Sequence, residues 1–254
     1  MLTDAHVHFG LWRWNYPTKG ECYYSPRQVL ELLDGCGIDM FAASCTSVQS
    51  ATADVGCILD EYREMVEIGR GRCKPLLWMT DRAFDADLDL KRWSVDDISW
   101  VGLKLHNEES NWVGHDRMER ILAIASERNW VVQVHTGGNY SAAGQFGYYC
   151  EKFSNVHFCL SHMSPIAEAI DIVSTLDNVW LDCAAVGKDH LRIAANSGLE
   201  ERILFGSDLP ICQNWKGRAA REIVKDNERD VREVFCGDAE KVLSVNFRRF
   251  ITIQ

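Results

Sequence analysis

What most limits the fold of this chain is a rhythm. Short apolar runs recur at residues 2–9, 38–45, 73–80, 99–106, 130–135, 156–162, 179–183 and 202–208. Between them, helical spacing predicts helices at 28–36, 52–69, 88–93, 116–128, 144–152, 165–176 and 189–197, with 218–227 and 238–246 closing the chain. Ser25-Pro26 supplies an N-cap and a proline for the first helical turn, and Gly37 ends that helix. Brief apolar strands alternating with amphipathic helices are the pattern of a parallel sheet covered by helices. Eight such units in 254 residues predict an α/β protein with a closed (β/α)₈ TIM barrel rather than an open doubly wound sheet. One domain is expected over 1–254, with no Gly-x-Gly-x-x-Gly phosphate loop.

Composition narrows the partners. Lys and Arg total 27 against 37 for Asp and Glu, a net charge of −10, which suits a small-molecule substrate better than a nucleic-acid backbone. No apolar run approaches the ~20 residues that span a membrane. The N-terminus lacks the basic start and apolar core of a signal peptide, and His6 and His8 lie too near Met1 to leave room for a cleaved leader. Ten cysteines are scattered without a Cys-x-x-Cys pair. Several, such as Cys45, Cys159 and Cys183, sit in apolar runs as small buried hydrophobes. They read as the reduced thiols of a cytoplasmic protein, with a disulfide framework as the alternative. The oligomeric state is left open, a homodimer among the options.

The chemistry begins in the first run, Asp4-Ala5-His6-Val7-His8-Phe9-Gly10. Side chains alternate along a strand, so His6 and His8 share one face, where two imidazoles can converge on a divalent ion. The same pattern also arises from polar positions on a half-buried strand. In a barrel, the reacting groups lie at the C-terminal ends of the strands. The polar residues at those ends are His6, His8, Lys104, His106, His135, His162 and Asp208, with Ser44, Thr46, Thr80, Asp81 and Asp182 offering less. Five of the eight histidines fall there, whereas His115 and His190 lie in a loop and on a helix surface and His157 near the start of its strand.

Five segments, Asp4-Ala5-His6-Val7-His8, Gly102-Leu103-Lys104-Leu105-His106, Val134-His135-Thr136-Gly137, Leu160-Ser161-His162-Met163 and Leu204-Phe205-Gly206-Ser207-Asp208-Leu209-Pro210, together resemble the amidohydrolase superfamily. The amidohydrolase-related branch of metal-dependent hydrolases and decarboxylases is the nearest likeness, in the right order over almost the whole chain. The tail 236–243 is similar to the family's closing helix, except that Asp238 stands where the family usually has Asn. The resemblance implies a divalent metal, Zn²⁺ by preference, held by His6, His8 and His135 with Asp208, and an open position for water. It implies that the metal activates that water, that Asp208 relays its proton, and that His162 either ligates a second metal or hydrogen-bonds the water or a substrate oxyanion. In binuclear relatives a lysine at the position of Lys104 can be carboxylated and bridge two metals. Here Lys104 is either such a ligand or an ordinary lysine that binds a substrate carboxylate or fills the barrel mouth.

Substrate contacts are expected from the loops at the mouth. Trp12, Arg13, Trp14 and Tyr16 follow the first strand, and His106, Asn107 and Trp112 the fourth. Arg13 can clamp a carboxylate while the tryptophans give an apolar wall, although the aromatics can equally serve to pack the loops down. Lys188 and His190 are further candidates. The expected activity is hydrolysis of an amide, ester or lactone of a small anionic substrate. Nonoxidative decarboxylation of an unsaturated or aromatic acid is the first alternative. A TatD-like nuclease, which has Glu where this chain has Lys104, and a metal-binding barrel without catalysis are weaker ones.

Overall fold

The structure, a computed structural model, describes residues 1–13, 20–49, 54–79, 97–106, 116–137 and 141–252. Among these residues nine strands form one curled sheet: β1 (Leu2–Arg13), β2 (Glu21–Tyr24), β3 (Ile38–Cys45), β4 (Cys73–Met79), β5 (Gly102–Leu105), β6 (Val131–His135), β7 (Phe158–Ser161), β8 (Val179–Asp182) and β9 (Ile203–Leu204). Their order is β2-β1-β3-β4-β5-β6-β7-β8-β9, and every neighbouring pair is parallel except β1 with β2. The chain beyond β9 runs beside β1. Ala5 N–H donates to Phe205 O (2.8 Å), Asp208 N–H to His6 O (2.9 Å) and His8 N–H to Leu209 O (2.7 Å).

Two apolar layers hold the sheet. Val7, Phe9, Leu33, Tyr62, Met65, Val132 and Leu160 belong to the larger, which joins the strands to the helices. The smaller takes Ala5, Ala42, Leu76, Val131, Cys159, Trp180 and Leu204 from seven parallel strands and covers them with Phe247 and Phe250 of the helix Asn246–Ile251. The eighth parallel strand, β5, begins with Gly102, where an added Cβ would collide with the Val131 carbonyl. Burial of this kind contributes about 25 cal/mol per Å² of apolar surface.

Local signals place the helices. The helix Pro26–Cys36 starts on a capping box, Ser25 Oγ accepting from Gln28 N–H (3.3 Å) and Gln28 Oε1 from Ser25 N–H (2.9 Å). It stops at Gly37, whose φ of 74° suits a residue without a Cβ. Asp54 caps the next helix, Val55–Gly69, which therefore begins after the expected 52.

Three expectations need correction. The first strand does not stop at Phe9: β1 continues through Arg13 and pairs antiparallel with β2. Gly10, at φ 92°, lets β1 change partner, from β3 before it to β2 after it. The last strand is two residues long rather than seven, because beyond Leu204 the chain bonds to β1 through single contacts instead of a continuous ladder. Finally, the helix expected at 218–227 runs over Ala220–Phe235, since Val231 and Phe235 continue the buried face of Ile223 and Val224 through a polar stretch. It is preceded by an unexpected helix, Ile211–Lys216, and 238–246 divides into a π-helical turn, Lys241–Val245, and the helix Asn246–Ile251. The expected helix at 88–93 and the strand-end residues Thr80 and Asp81 lie outside the described residues. Among the described residues, no helix is long and apolar enough to cross a membrane. All ten cysteines are unpaired.

Candidate metal centre

Alternation along β1 puts His6 and His8 on the inner side, both buried. Their Nε2 atoms stand 3.0 Å apart. Asp208, brought alongside by the bonds between β1 and 205–209, places Oδ1 3.1 Å from His8 Nε2 and 3.7 Å from His6 Nε2. The Asp208 backbone has φ 57°, a left-handed conformation that costs a non-glycine residue on the order of 1 kcal/mol and is enriched at functional sites.

The opposite ring nitrogens are also held. His6 Nδ1 lies 2.9 Å from Asp182 Oδ2 at the end of β8, and His8 Nδ1 lies 3.0 Å from Ser44 Oγ on β3. Lys104 Nζ, from fully buried Lys104 on β5, reaches His6 Nε2 at 3.0 Å. His162 follows β7 with φ 69°, and its Nδ1 lies 2.8 Å from Ala184 O, which turns Nε2 the other way.

His135, at the end of β6, joins neither His/carboxylate grouping, His6–His8–Asp208 or His6–His162–Asp182. Its ring lies between those of His106 (centroids 4.2 Å apart) and His162 (4.8 Å). His106 stacks on Trp78 at 5.4 Å, and Trp78 approaches His8 (5.0 Å) and Trp12 (6.3 Å). The result is an arc of rings from Trp12 through Trp78, His106 and His135 to His162. The structure thus gathers His6, His8, Asp208, Lys104, His162, His135, His106 and Trp12. Arg13 ends β1, while Trp14, Tyr16, Asn107 and Trp112 lie outside the described residues. Lys188 is not part of the cluster and pairs with Glu233 and Asp230.

The sequence pattern marks Asp182 and Ser44 only as strand ends and gives Gln133 and Trp78 no role. Alternation could have found the last two. Gln133 precedes His135 by two residues and donates from Nε2 to Ala5 O at 2.7 Å. Trp78 is paired in register with Lys104.

Electrostatics sharpen the picture. Burial, then the nearby Lys104 charge, lowers His6 from 6.5 to about 3, so its imidazole is neutral at pH 7. Burial likewise lowers His8 and His106. Burial raises Asp182 and Asp208, but the neighbouring histidines outweigh it: His6 by charge and hydrogen bond for Asp182, the His8 hydrogen bond first for Asp208. Both carboxyls end below their usual range. Asp4 differs, since burial lifts it from 3.8 to about 7 although it accepts the His6 and Ser207 N–H groups at 3.0 Å each.

This donor set suits a divalent cation. A neutral His6 that donates its Nδ1 proton to Asp182 keeps a lone pair on Nε2. The Ser44 hydroxyl accepts or donates, so His8 is able to give up its Nε2 proton. Two imidazole nitrogens and an ionised carboxylate then face one point, the nitrogen and oxygen mixture Zn²⁺ accepts.

The fold is an α/β sheet, mostly parallel and curled, and at the seam of β1 with the chain beyond β9 it groups His6, His8 and Asp208 as a candidate cation site. The chain belongs to the amidohydrolase family: the family model Amidohydro_2, described as Amidohydrolase, matches residues 3–245. Members of that family are metal-dependent hydrolases or decarboxylases. No curated protein matches the sequence. Among solved structures, a probable 2-pyrone-4,6-dicarboxylic acid hydrolase from Acinetobacter baumannii with citric acid bound is similar at TM-score 0.70 and 14% identity, covering 98% of each chain. An amidohydrolase from Burkholderia multivorans with bound zinc is similar at 0.69 and 16%, covering 100% of each. The 5-carboxyvanillate decarboxylase of Sphingomonas paucimobilis gives 0.67 and 12%, covering 100% of this chain and 99% of that one.

Proposed function

We propose that this protein is a metal-dependent hydrolase that cleaves an amide, ester or lactone bond of a small anionic substrate. The observation that carries the reading is the convergence of His6 Nε2, His8 Nε2 and Asp208 Oδ1 within 3.0–3.7 Å. Its frame is a single-domain (β/α)₈ barrel closed between β1 and the chain after β9, a reading supported by the bonds from Ala5, His8 and Asp208 across that seam. His6, His8 and Asp208, with His135 one ring further round the mouth, are the ligands of one divalent cation, Zn²⁺ by preference. Such a cation lowers the pKa of a water toward neutrality and polarises a carbonyl.

The chain's own residues supply the rest. Asp208, whose side chain is 15% exposed, is placed to take a proton from the attacking water and return it to the leaving group. His162 donates from Nδ1 to Ala184 O and so offers the Nε2 lone pair to a proton of the water. Trp12, Trp78 and His106 form an apolar wall that excludes water and orients a planar substrate. Lys104 and Arg13 supply positive charge for a carboxylate, and Asn107 a polar contact.

Elemental analysis of the purified protein, followed by turnover on a library of amides, esters and lactones, tests the reading. It expects bound divalent metal, lost in His6→Ala and His8→Ala, and turnover lost in Asp208→Asn with metal retained. Full metal content in both histidine variants would overturn the ligand assignment. The arc of rings favours a second reading, decarboxylation of an aromatic acid, since it suits a flat substrate, and the likeness to the Sphingomonas decarboxylase adds support. Release of carbon dioxide from aromatic acids, with no hydrolysis of the carbonyl library, would decide for it.

A further inference from the structure

Asp182 ends β8, 176 residues from His6 in sequence, and is fully buried. Its two oxygens have separate tasks. Oδ2 faces His6 Nδ1 at 2.9 Å, with Gln133 Nε2 at 3.4 Å. Oδ1 accepts two backbone protons, from His162 N–H at 3.1 Å and from Ala184 N–H at 3.0 Å. Ala184 returns the contact, its carbonyl lying 2.8 Å from His162 Nδ1. A loop is thereby closed from the Asp182 carboxylate to the 184 peptide, to the His162 ring, and through the His162 backbone to the same carboxylate. That loop holds His162 in its left-handed conformation, φ 69°, which an L-residue rarely adopts unaided.

We propose that Asp182 is a positioning residue that registers the metal ligand His6 against His162. It fixes His6 directly in the Nδ1–H form, leaving the Nε2 lone pair for the cation. It fixes His162 indirectly, through the backbone of 182–184, with Nε2 turned toward the substrate. The roles of the two rings rest on the proposed function; the tautomer does not. His6, His162 and Asp182 also offer ligand atoms within 4.8 Å of one another, as a cation would need. However, one Asp182 oxygen is committed to His6 and the other to two peptide N–H groups, so the carboxylate orients its neighbours instead of ligating. Carboxylate partners of metal-bound histidines generally set ring orientation and basicity in this way.

The bland alternative is that Asp182 merely satisfies buried N–H groups. Asp182→Asn separates the two. The amide oxygen can still accept from His162 and Ala184, but its NH₂ then faces His6 Nδ1, which must become the acceptor. The ring proton moves to Nε2, where it opposes a cation. The expected result is a loss of Zn²⁺ affinity of about 10–100-fold, read by chelator competition. In the metal-free protein, ¹⁵N chemical shifts of the imidazoles should show His6 protonated at Nδ1 in the wild type and at Nε2 in the variant. Ser44→Ala, which removes the hydroxyl beside His8 Nδ1, should leave the His6 tautomer unchanged. A wild-type His6 protonated at Nε2, or an Asp182→Asn protein with unaltered tautomer and affinity, overturns the proposal. Should the variant fail to fold, the wild-type spectrum decides. A wild type with the Nδ1–H tautomer that binds no divalent metal would refute the proposed function while leaving the orienting role in place.

Discussion

Removing one oxygen from Tyr62 should loosen the whole wall beneath His8. Tyr62 lies in the helix Val55–Gly69 and is fully buried, but its hydroxyl sits between β3 and β4. It accepts from Cys45 N–H (2.9 Å) and Trp78 N–H (3.2 Å) and donates to Leu76 O (2.6 Å). The cause is Pro75: the β3–β4 register ends at Ala43↔Pro75, proline has no N–H, and the strands part beyond it. The hydroxyl bridges the gap as a ladder bond would. Tyr62→Phe keeps the ring and its edge contacts to Phe9 (5.1 Å) and Trp100 (4.6 Å), so packing is preserved. Three hydrogen bonds are lost, each worth about 1 kcal/mol net, and a buried N–H left without a partner costs about 1–3 kcal/mol. Partial closure of the strands would recover one bond, which leaves a loss of roughly 2–4 kcal/mol. In a chain of this size that lowers the melting temperature by roughly 5–15 °C. Urea unfolding followed by circular dichroism would show a lower midpoint with an unchanged slope. A variant that melts within about 1 °C of the wild type would refute the bridging role.

The metal-free protein should lose stability as the pH falls below about 6.5, the ordinary histidine value. Burial lowers His6, His8 and His106, so on unfolding each takes up a proton that the folded state refuses. Their contribution is complete above pH 6.5 and is lost as the pH falls toward the folded values. Asp4, raised to about 7, acts in the opposite sense between 3.8 and 7, because the folded state holds a proton that the unfolded chain has released. Three protons taken up against one released leaves up to about two, a slope of up to roughly 3 kcal/mol per pH unit. Urea midpoints measured with chelator from pH 7 to 4.5 test this, and a flat or inverted profile would contradict it. Asp4→Asn removes the opposing group, so the acid loss should steepen in that variant. Gly10→Ala puts a Cβ 2.5 Å from Ser47 Oγ and 2.9 Å from Cys45 Sγ, at φ 92°. It should cost roughly 2–4 kcal/mol by thermal melting, and a neutral result would show that the change of partner at Gly10 is not required.

The strands, the helices and the face that His6 and His8 share were legible in sequence because they depend on local periods. A two-residue alternation places both rings on one side of the strand whatever the rest of the chain does. Ser25-Pro26 and Gly37 delimit a helix by satisfying its own end groups. The hairpin through Leu11–Arg13 was not legible, since its strand β2 is four residues long and exists only where β1 changes partner at Gly10. Nor could local pattern show that Asp182 serves His6, that Ser44 serves His8, or that Lys104 reaches His6 Nε2. Those pairs are 176, 36 and 98 residues apart, and the register of neighbouring strands and the curl of the sheet decide which of them meet. Sequence by itself determined which polar residues stand at the strand ends and which of them share a side of their strand. Tertiary structure alone decided which ring nitrogen each of them offers, because that choice is made by a hydrogen-bond partner on another strand.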